Sequence, residues 1–123
     1  MPPDTPGPTE RDITMAALDA RPTLPKDLLV ALTQLDGPDA VALLLDDLLT
    51  PAEVRSLGER WLIVKRLVAG DSQRAVRDAL NVSISTVSRG AKQVRYGCGG
   101  FDVAFDALAA AGHQDPRTSQ EDS

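Results

Sequence analysis

The sequence predicts an all-α fold, and three observations support that prediction. Aromatic residues make up only 3% of the 123 residues, so the apolar core has to be built from Leu, Val, Ala and Ile. These aliphatic side chains recur at helical spacing through most of the chain. Residues that start and stop helices flank these segments, whereas no strand signal rises above background. We therefore expect packed helices and no sheet.

The length and composition indicate one helical domain between two tails. Residues 1–8 contain four prolines, which exclude regular structure, and we expect a disordered N-terminal tail there. Residues 113–123 are polar and are predicted to form a disordered C-terminal tail. The domain between them spans residues 9–112. Because a core of this size with few aromatic residues often gains burial by pairing with a second copy, a homodimer is expected.

Helix signals within the domain predict seven helices, over residues 9–20, 24–37, 38–49, 50–70, 73–80, 84–95 and 101–112. The helix over 50–70 is the best marked. Thr50 and Glu53 match a capping box, Pro51 suits the first helical position, and Gly70 is a natural stop.

Charge is distributed unevenly along the chain. The net charge is −5, but residues 53–95 hold nine basic and four acidic residues, a balance of +5, between two acidic flanks. A basic centre of this kind can present a positive face to phosphate even though the whole protein is acidic. An ordinary solvated helix surface is the alternative interpretation.

The composition also excludes several classes of protein. The single cysteine, Cys98, permits no internal disulfide, and with one histidine, His113, no metal cluster can be assembled. No nucleophile–base pair and no phosphate-binding glycine loop is present, so we predict neither an enzyme nor a cofactor. No signal peptide is recognisable and no window approaches 18 uninterrupted apolar residues, which predicts a soluble cytoplasmic protein without membrane contact.

Residues 72–95 are predicted to form a helix-turn-helix unit. Ser72 and Ser83 can cap its two helices, and Asn81 tolerates the left-handed geometry of the turn. Short polar residues lie at the start of the second helix, where such a unit meets base edges and phosphates. Phosphate-directed charge is available from Arg74, Arg77, Arg89, Lys92 and Arg95. A plain helical hairpin with a polar surface remains the alternative.

Residues 49–94, LTPAEVRSLGERWLIVKRLVAGDSQRAVRDALNVSISTVSRGAKQV, resemble the bacterial tryptophan repressor family. The segment contains the marks LTP.E...LG.R, IV..L..G, SQR....L and I.T..RG in the family's order. The resemblance implies an intertwined, all-helical homodimer that binds two-fold symmetric operator DNA. It also implies a transcriptional repressor with L-tryptophan as its corepressor, acting on genes of tryptophan biosynthesis or transport.

The same resemblance implies site residues. Arg60 and Arg89 match the arginines on the two sides of the indole slot, and Arg89 would also meet the ligand carboxylate. The full set for L-tryptophan is Thr50, Arg60, Ile63, Val64, Thr86, Arg89, Gly90 and Gln93. Trp61 is expected in the dimer core. With the basic and short polar residues of the helix-turn-helix included, the candidates for DNA contact are Gln73, Arg74, Arg77, Ser83, Ile84, Ser85, Thr86, Ser88, Arg89 and Lys92.

Three features depart from the family pattern. The connection 70–72 is one residue shorter than usual, and Gln93 stands where a serine lies near the ligand's amino group. YGCGGFD, residues 96–102, is similar to repressor-like relatives whose ligand is not known. Two alternatives therefore stay open: a DNA-binding regulator that uses another ligand or none, and a helical protein-interaction module.

Overall fold

The computed structural model describes residues 23–121, the last three by their backbone alone. The predicted tail 1–8 and the predicted helix 9–20 lie outside the described residues. Within them, six α-helices are followed by a 3₁₀ helix, and no strand occurs, so the all-α prediction is confirmed. The α-helices are α1 (Lys26–Gln34), α2 (Pro38–Leu48), α3 (Pro51–Val68), α4 (Gln73–Leu80), α5 (Ile84–Tyr96) and α6 (Gly100–Ala110).

The chain falls into two units, divided between Asp47 and Leu48. The first unit holds α1 and most of α2, and neither helix has a buried residue. Leu29 in α1 is 46% exposed and Leu43 in α2 is 69% exposed. These two helices therefore leave much apolar surface open within the described part of a single chain.

The second unit is built around a small aliphatic core. Ile63 of α3, Val76 of α4 and Val87 of α5 are each at most 1% exposed. The apolar side chains packed against these three are Leu67, Leu80 and Val82. Because each of three helices contributes one fully buried side chain, this core holds the pair α4–α5 against α3.

Local sequence explains where the helices of this unit begin and end. The Thr50 hydroxyl accepts a hydrogen bond from the Glu53 amide at 3.2 Å, and the Glu53 carboxylate accepts one from the Thr50 amide at 2.8 Å. The bond from the Thr50 backbone is the main reason that the pKa of Glu53 lies below its ordinary value. Gly70, with φ of 109°, follows the end of α3, and Asn81, with φ of 56°, ends α4 in left-handed geometry. The predicted caps are thus confirmed.

The C-terminal segment differs from the expectation of a disordered tail over residues 113–123. Pro116–Glu121 form a 3₁₀ helix, and the Arg117 guanidinium donates hydrogen bonds to Asp106 at 2.6 Å and to Asp115 at 2.7 Å. The bond to Asp106 ties the segment to α6, and the segment also contacts α3. A polar composition alone does not reveal this order, because it depends on one arginine meeting acidic groups elsewhere on the chain.

An aromatic cluster joins α6 to α3. The ring of Trp61 lies 5.3 Å from that of Phe105 and 6.3 Å from that of Phe101, measured between ring centroids. Phe105 is fully buried, and the Arg117 guanidinium lies 5.7 Å from the centre of its ring. Trp61, which is predicted to lie in a dimer core, makes these ring contacts within its own chain.

Candidate functional site

A pocket of about 560 Å³ lies between α3, α5 and the start of α6. Its volume is within the range of small-molecule sites. Three residues that the sequence analysis does not include, Ser56, Glu59 and Phe101, take part in its lining. The others are seven of the eight predicted ligand-binding residues: Arg60, Ile63, Val64, Thr86, Arg89, Gly90 and Gln93.

The floor of the pocket is apolar and depends on a close approach of two helices. Ile63 and Val64 are each 1% exposed. A Cβ atom added at Gly90 would lie 2.8 Å from Cγ2 of Ile63, closer than two such carbons can come without displacement. Gly90 therefore permits the close contact between α5 and α3.

Charged side chains line the same pocket without partners among the residues that the structure describes. Arg60 and Arg89 are exposed residues and Glu59 is half-buried. None of these three forms an ion pair or a side-chain hydrogen bond with another described residue, and the same holds for Gln93. The pocket thus combines two unpaired guanidinium groups and one unpaired carboxylate with an apolar floor.

The two predicted threonines lie in different places. Thr50 caps α3 and does not line the pocket, since ten residues of helix put it about 15 Å from Arg60 along the helix axis. Thr86 lines the pocket, and its hydroxyl oxygen lies 2.7 Å from that of Ser83. Within one chain, Thr50 is therefore separated from the other predicted ligand residues.

The start of α5 is a compact group of hydroxyls. The Ser83 hydroxyl accepts a hydrogen bond from the Thr86 amide at 3.1 Å and lies 3.1 Å from the Ser85 hydroxyl. Ser85 is exposed, and Ile84 is 45% exposed. A helix N-terminus with open hydroxyls and one open apolar side chain suits both phosphate oxygens and base edges.

The rest of the predicted DNA-contacting residues lie on α4 and α5. Ser88 donates a hydrogen bond of 2.9 Å to the Gln73 side chain, which links the two helices. Arg74 and Lys92 are exposed and have no partner among the described residues. Arg77 pairs at 2.9 Å with the carboxylate of the next residue, an exposed ion pair that contributes little to stability. Positively charged side chains that are unpaired among the described residues, or held only by an exposed ion pair, thus lie on the same two helices as the hydroxyls at the start of α5.

The three pocket residues absent from the sequence analysis differ in how they could have been found. Ser56 lies four positions before Arg60 and seven before Ile63, so helical spacing alone puts it on the pocket face of α3. Glu59 lies four positions before Ile63 and follows from the same spacing. Phe101 belongs to α6, and its position depends on the aromatic cluster, for which the sequence offers no local signal.

Residues 23–121 contain neither a membrane-spanning helix nor a metal-binding group of side chains. No helix among them is long and apolar enough to cross a membrane. No group of His, Cys, Asp and Glu side chains among them is arranged to hold a metal ion.

Comparison with known proteins identifies a family. Residues 25–109 match the family described as Trp repressor protein, a range that includes the helix-turn-helix and every residue that lines the pocket. Neither a curated protein nor a solved structure matches the chain. Since the match covers most of its length, the chain belongs to the Trp repressor family, whose members are DNA-binding transcription regulators and not enzymes.

Proposed function

We propose that this regulator is a repressor with L-tryptophan as its corepressor, acting on genes of tryptophan biosynthesis or transport. The pocket is the observation that carries the proposal. Its apolar floor suits an indole ring, and the unpaired guanidinium groups of Arg60 and Arg89 can lie on the two faces of that ring. Arg89 can also pair with the ligand carboxylate through charge-assisted hydrogen bonds.

The position of the pocket explains how a ligand would control DNA binding. Thr86, Arg89 and Gln93 line the pocket from one face of α5, while Ser88 and Lys92 lie on a neighbouring face of the same helix. A ligand between α3 and α5 would favour one orientation of the helix-turn-helix. DNA affinity would rise only if the ligand binds that orientation more tightly than the others.

The DNA-binding residues divide by role in this proposal. Arg74, Arg77 and Lys92 would meet phosphates and give affinity that falls steeply with salt. Ile84 and the hydroxyls at the start of α5 would meet base edges and give sequence preference. The hydroxyl residues are Ser83, Ser85, Thr86 and Ser88; Gln73 and Arg89 complete the proposed surface.

The homodimer is part of the proposal and rests on uncovered apolar surface. The helices α1 and α2 contain no buried residue, and Leu57 and Leu62 on α3 are each more than 40% exposed. Among the described residues, only five aliphatic or aromatic side chains are buried. A second copy would cover such surface, and two-fold symmetry would present two helix-turn-helix units to a symmetric operator.

Calorimetric titration of the full-length protein with L-tryptophan tests the corepressor assignment. We expect saturable binding with one site per subunit. DNA selected from a random pool in the presence of L-tryptophan should then bind more tightly with the amino acid than without it.

The same experiments separate the alternatives. If the protein does not bind L-tryptophan but keeps salt-sensitive DNA binding, a regulator that uses another ligand or none is favoured. Gln93, which replaces the family's serine near the ligand's amino group, would then be the residue of this chain that accounts for the change. A folded protein without salt-sensitive DNA binding would favour a protein-interaction module.

A further inference from the structure

We propose that Glu59 binds the ammonium group of the ligand and makes the pocket selective for zwitterionic amino acids over amine-free analogues. The inference rests on the proposed function, since it takes the ligand to be an aromatic amino acid. Neither the family pattern quoted above nor the sequence analysis gives Glu59 a role.

The charges that line the pocket match those of a zwitterion. Its lining contains two guanidinium groups, Arg60 and Arg89, and one carboxylate, Glu59. No ion pair joins Glu59 to either arginine or to any other described residue. A zwitterion uses all three groups: its carboxylate takes one arginine, its ammonium takes Glu59, and the second arginine remains free to cover the ring. An amine-free acid would leave Glu59 without a partner.

The pocket side chains offer an ammonium group few hydrogen-bond acceptors. Besides the Glu59 carboxylate, the pocket side chains offer the hydroxyls of Ser56 and Thr86 and the amide oxygen of Gln93. The Thr86 hydroxyl already lies 2.7 Å from that of Ser83. The remaining two are neutral, so only the Glu59 carboxylate adds the attraction between opposite charges to a hydrogen bond with the ammonium group. Glu59 is therefore the strongest acceptor for a cation in this pocket.

The position of Glu59 on α3 suits contact with the polar end of a ligand. It lies four positions before Ile63, so the two side chains are neighbours on the helix surface. Ile63 forms the pocket floor and is 1% exposed, whereas Glu59 is half-buried. The carboxylate thus belongs to the rim above an apolar floor, where a ligand's polar end would lie while its ring rests on the floor.

Partial burial strengthens this effect. A half-buried carboxylate loses part of its hydration when a ligand closes the pocket. That loss is offset when an ammonium group arrives with the ligand and is not offset when an amine-free acid arrives. Glu59 thus both attracts the amino acid and disfavours its analogue, which is the combination that selectivity requires.

Titration calorimetry of the full-length protein with L-tryptophan and with indole-3-propionate tests the inference in the wild type and in Glu59→Gln. We expect the wild type to bind L-tryptophan more tightly. The variant should lose about 10-fold to 100-fold in affinity for L-tryptophan, as for a hydrogen bond between charged groups. It should bind indole-3-propionate at least as tightly as the wild type, which also shows that its pocket is intact. Asp78→Asn, which removes the same charge outside the pocket, should leave both affinities unchanged.

The outcomes distinguish this inference from the proposed function. An unchanged preference for L-tryptophan in Glu59→Gln would overturn the role of Glu59 alone, and so would an equal loss of both ligands. Failure of the wild type to bind either compound would overturn the proposed function, and the inference with it.

Discussion

Helix α5 has two faces whose polar side chains differ in their hydrogen bonding. The pocket face carries Thr86, Arg89 and Gln93, and the reading face, which we propose contacts DNA, carries Ser85, Ser88 and Lys92 together with the cap residue Ser83. On the pocket face, Arg89 and Gln93 have no side-chain partner among the described residues. On the reading face, Ser88 bonds to Gln73, and Ser83 caps the helix. Groups that already have partners maintain the shape of a surface, whereas unpartnered groups keep their capacity for a ligand. The comparison indicates that the hydroxyls of the reading face are held in place before DNA binds, whereas Arg89 and Gln93 on the pocket face remain available to a ligand. Lys92 on the reading face is likewise unpartnered among the described residues and remains available to phosphate.

The largest expected effect is on the pocket face. Arg89→Ala should lower the affinity for L-tryptophan about 10-fold to 100-fold, because a hydrogen bond between charged groups is lost. Calorimetry measures the affinity, and a gel-shift titration should show that L-tryptophan no longer strengthens DNA binding. Arg55→Ala is the matched control, since Arg55 is an exposed arginine of α3 outside the pocket. Unchanged ligand affinity in Arg89→Ala would remove the assigned role of this arginine.

The next effect concerns the close contact beneath the pocket. Gly90→Ala would force Ile63 to move, and we expect the free energy of unfolding to fall by about 1–3 kcal/mol, as in other overpacked cores. Gly58→Ala makes the same chemical change on α3, where nothing lies within 4 Å of the added carbon. That control should gain about 0.5–1 kcal/mol, because alanine favours a helix more than glycine does. Urea unfolding measures both, and equal responses would show that the helix contact is looser than described.

A smaller effect should appear on the reading face. Ser88→Ala removes the hydrogen bond to Gln73 between α4 and α5, and we expect a loss of about 0.5–1.5 kcal/mol in stability. The affinity for L-tryptophan should stay unchanged, because Ser88 does not line the pocket. Ser85→Ala should cost less, because among the described residues the Ser85 hydroxyl contacts only that of Ser83. A clear loss of ligand affinity in Ser88→Ala would break the distinction between the two faces.

The smallest effect is a pH dependence at the C-terminal segment, which anchors the helix that supplies Phe101 to the pocket. The Arg117 side chain, followed by its backbone amide, donates hydrogen bonds that hold the pKa of Asp115 below its ordinary value. The contribution of this carboxylate to stability is therefore complete above the ordinary aspartate pKa and is lost as the pH falls below about 4. Melting temperatures between pH 6 and pH 3 should fall less steeply in Arg117→Ala than in the wild type. Parallel curves would show that the segment adds no acid sensitivity.

Sequence patterns predict this fold well where the determining contacts are local. Thr50, Ser72 and Ser83 form the predicted caps with amides three positions away, and Asn81 adopts the left-handed conformation expected of it. The helices α3 to α6 accordingly lie within two residues of their predicted bounds. Local sequence patterns could not predict the order of the C-terminal segment, because the hydrogen bonds of Arg117 to α6 span 11 and 15 positions.

The site shows the same limit. Family resemblance identifies Arg60, Arg89 and Gly90 as a group, and the structure brings them to one pocket. A resemblance assigns roles only to residues that match the family pattern, and position 59 is not among the matching positions, so it gives no role to Glu59. The place of Phe101 in the pocket was also not predicted, because it depends on how α6 packs against Trp61.

Thr86 belongs to both faces, since it lines the pocket and its hydroxyl lies 2.7 Å from that of Ser83, the cap of the reading helix. Coupling between two binding sites is reciprocal, so DNA that is held more tightly with ligand must in turn hold the ligand more tightly on the protein. Such differences in affinity arise mostly through slower dissociation. Repressor molecules on an operator would then be the last to release their ligand when its concentration falls. A gene under this control would switch off promptly when tryptophan accumulates and switch on with a delay when it runs out.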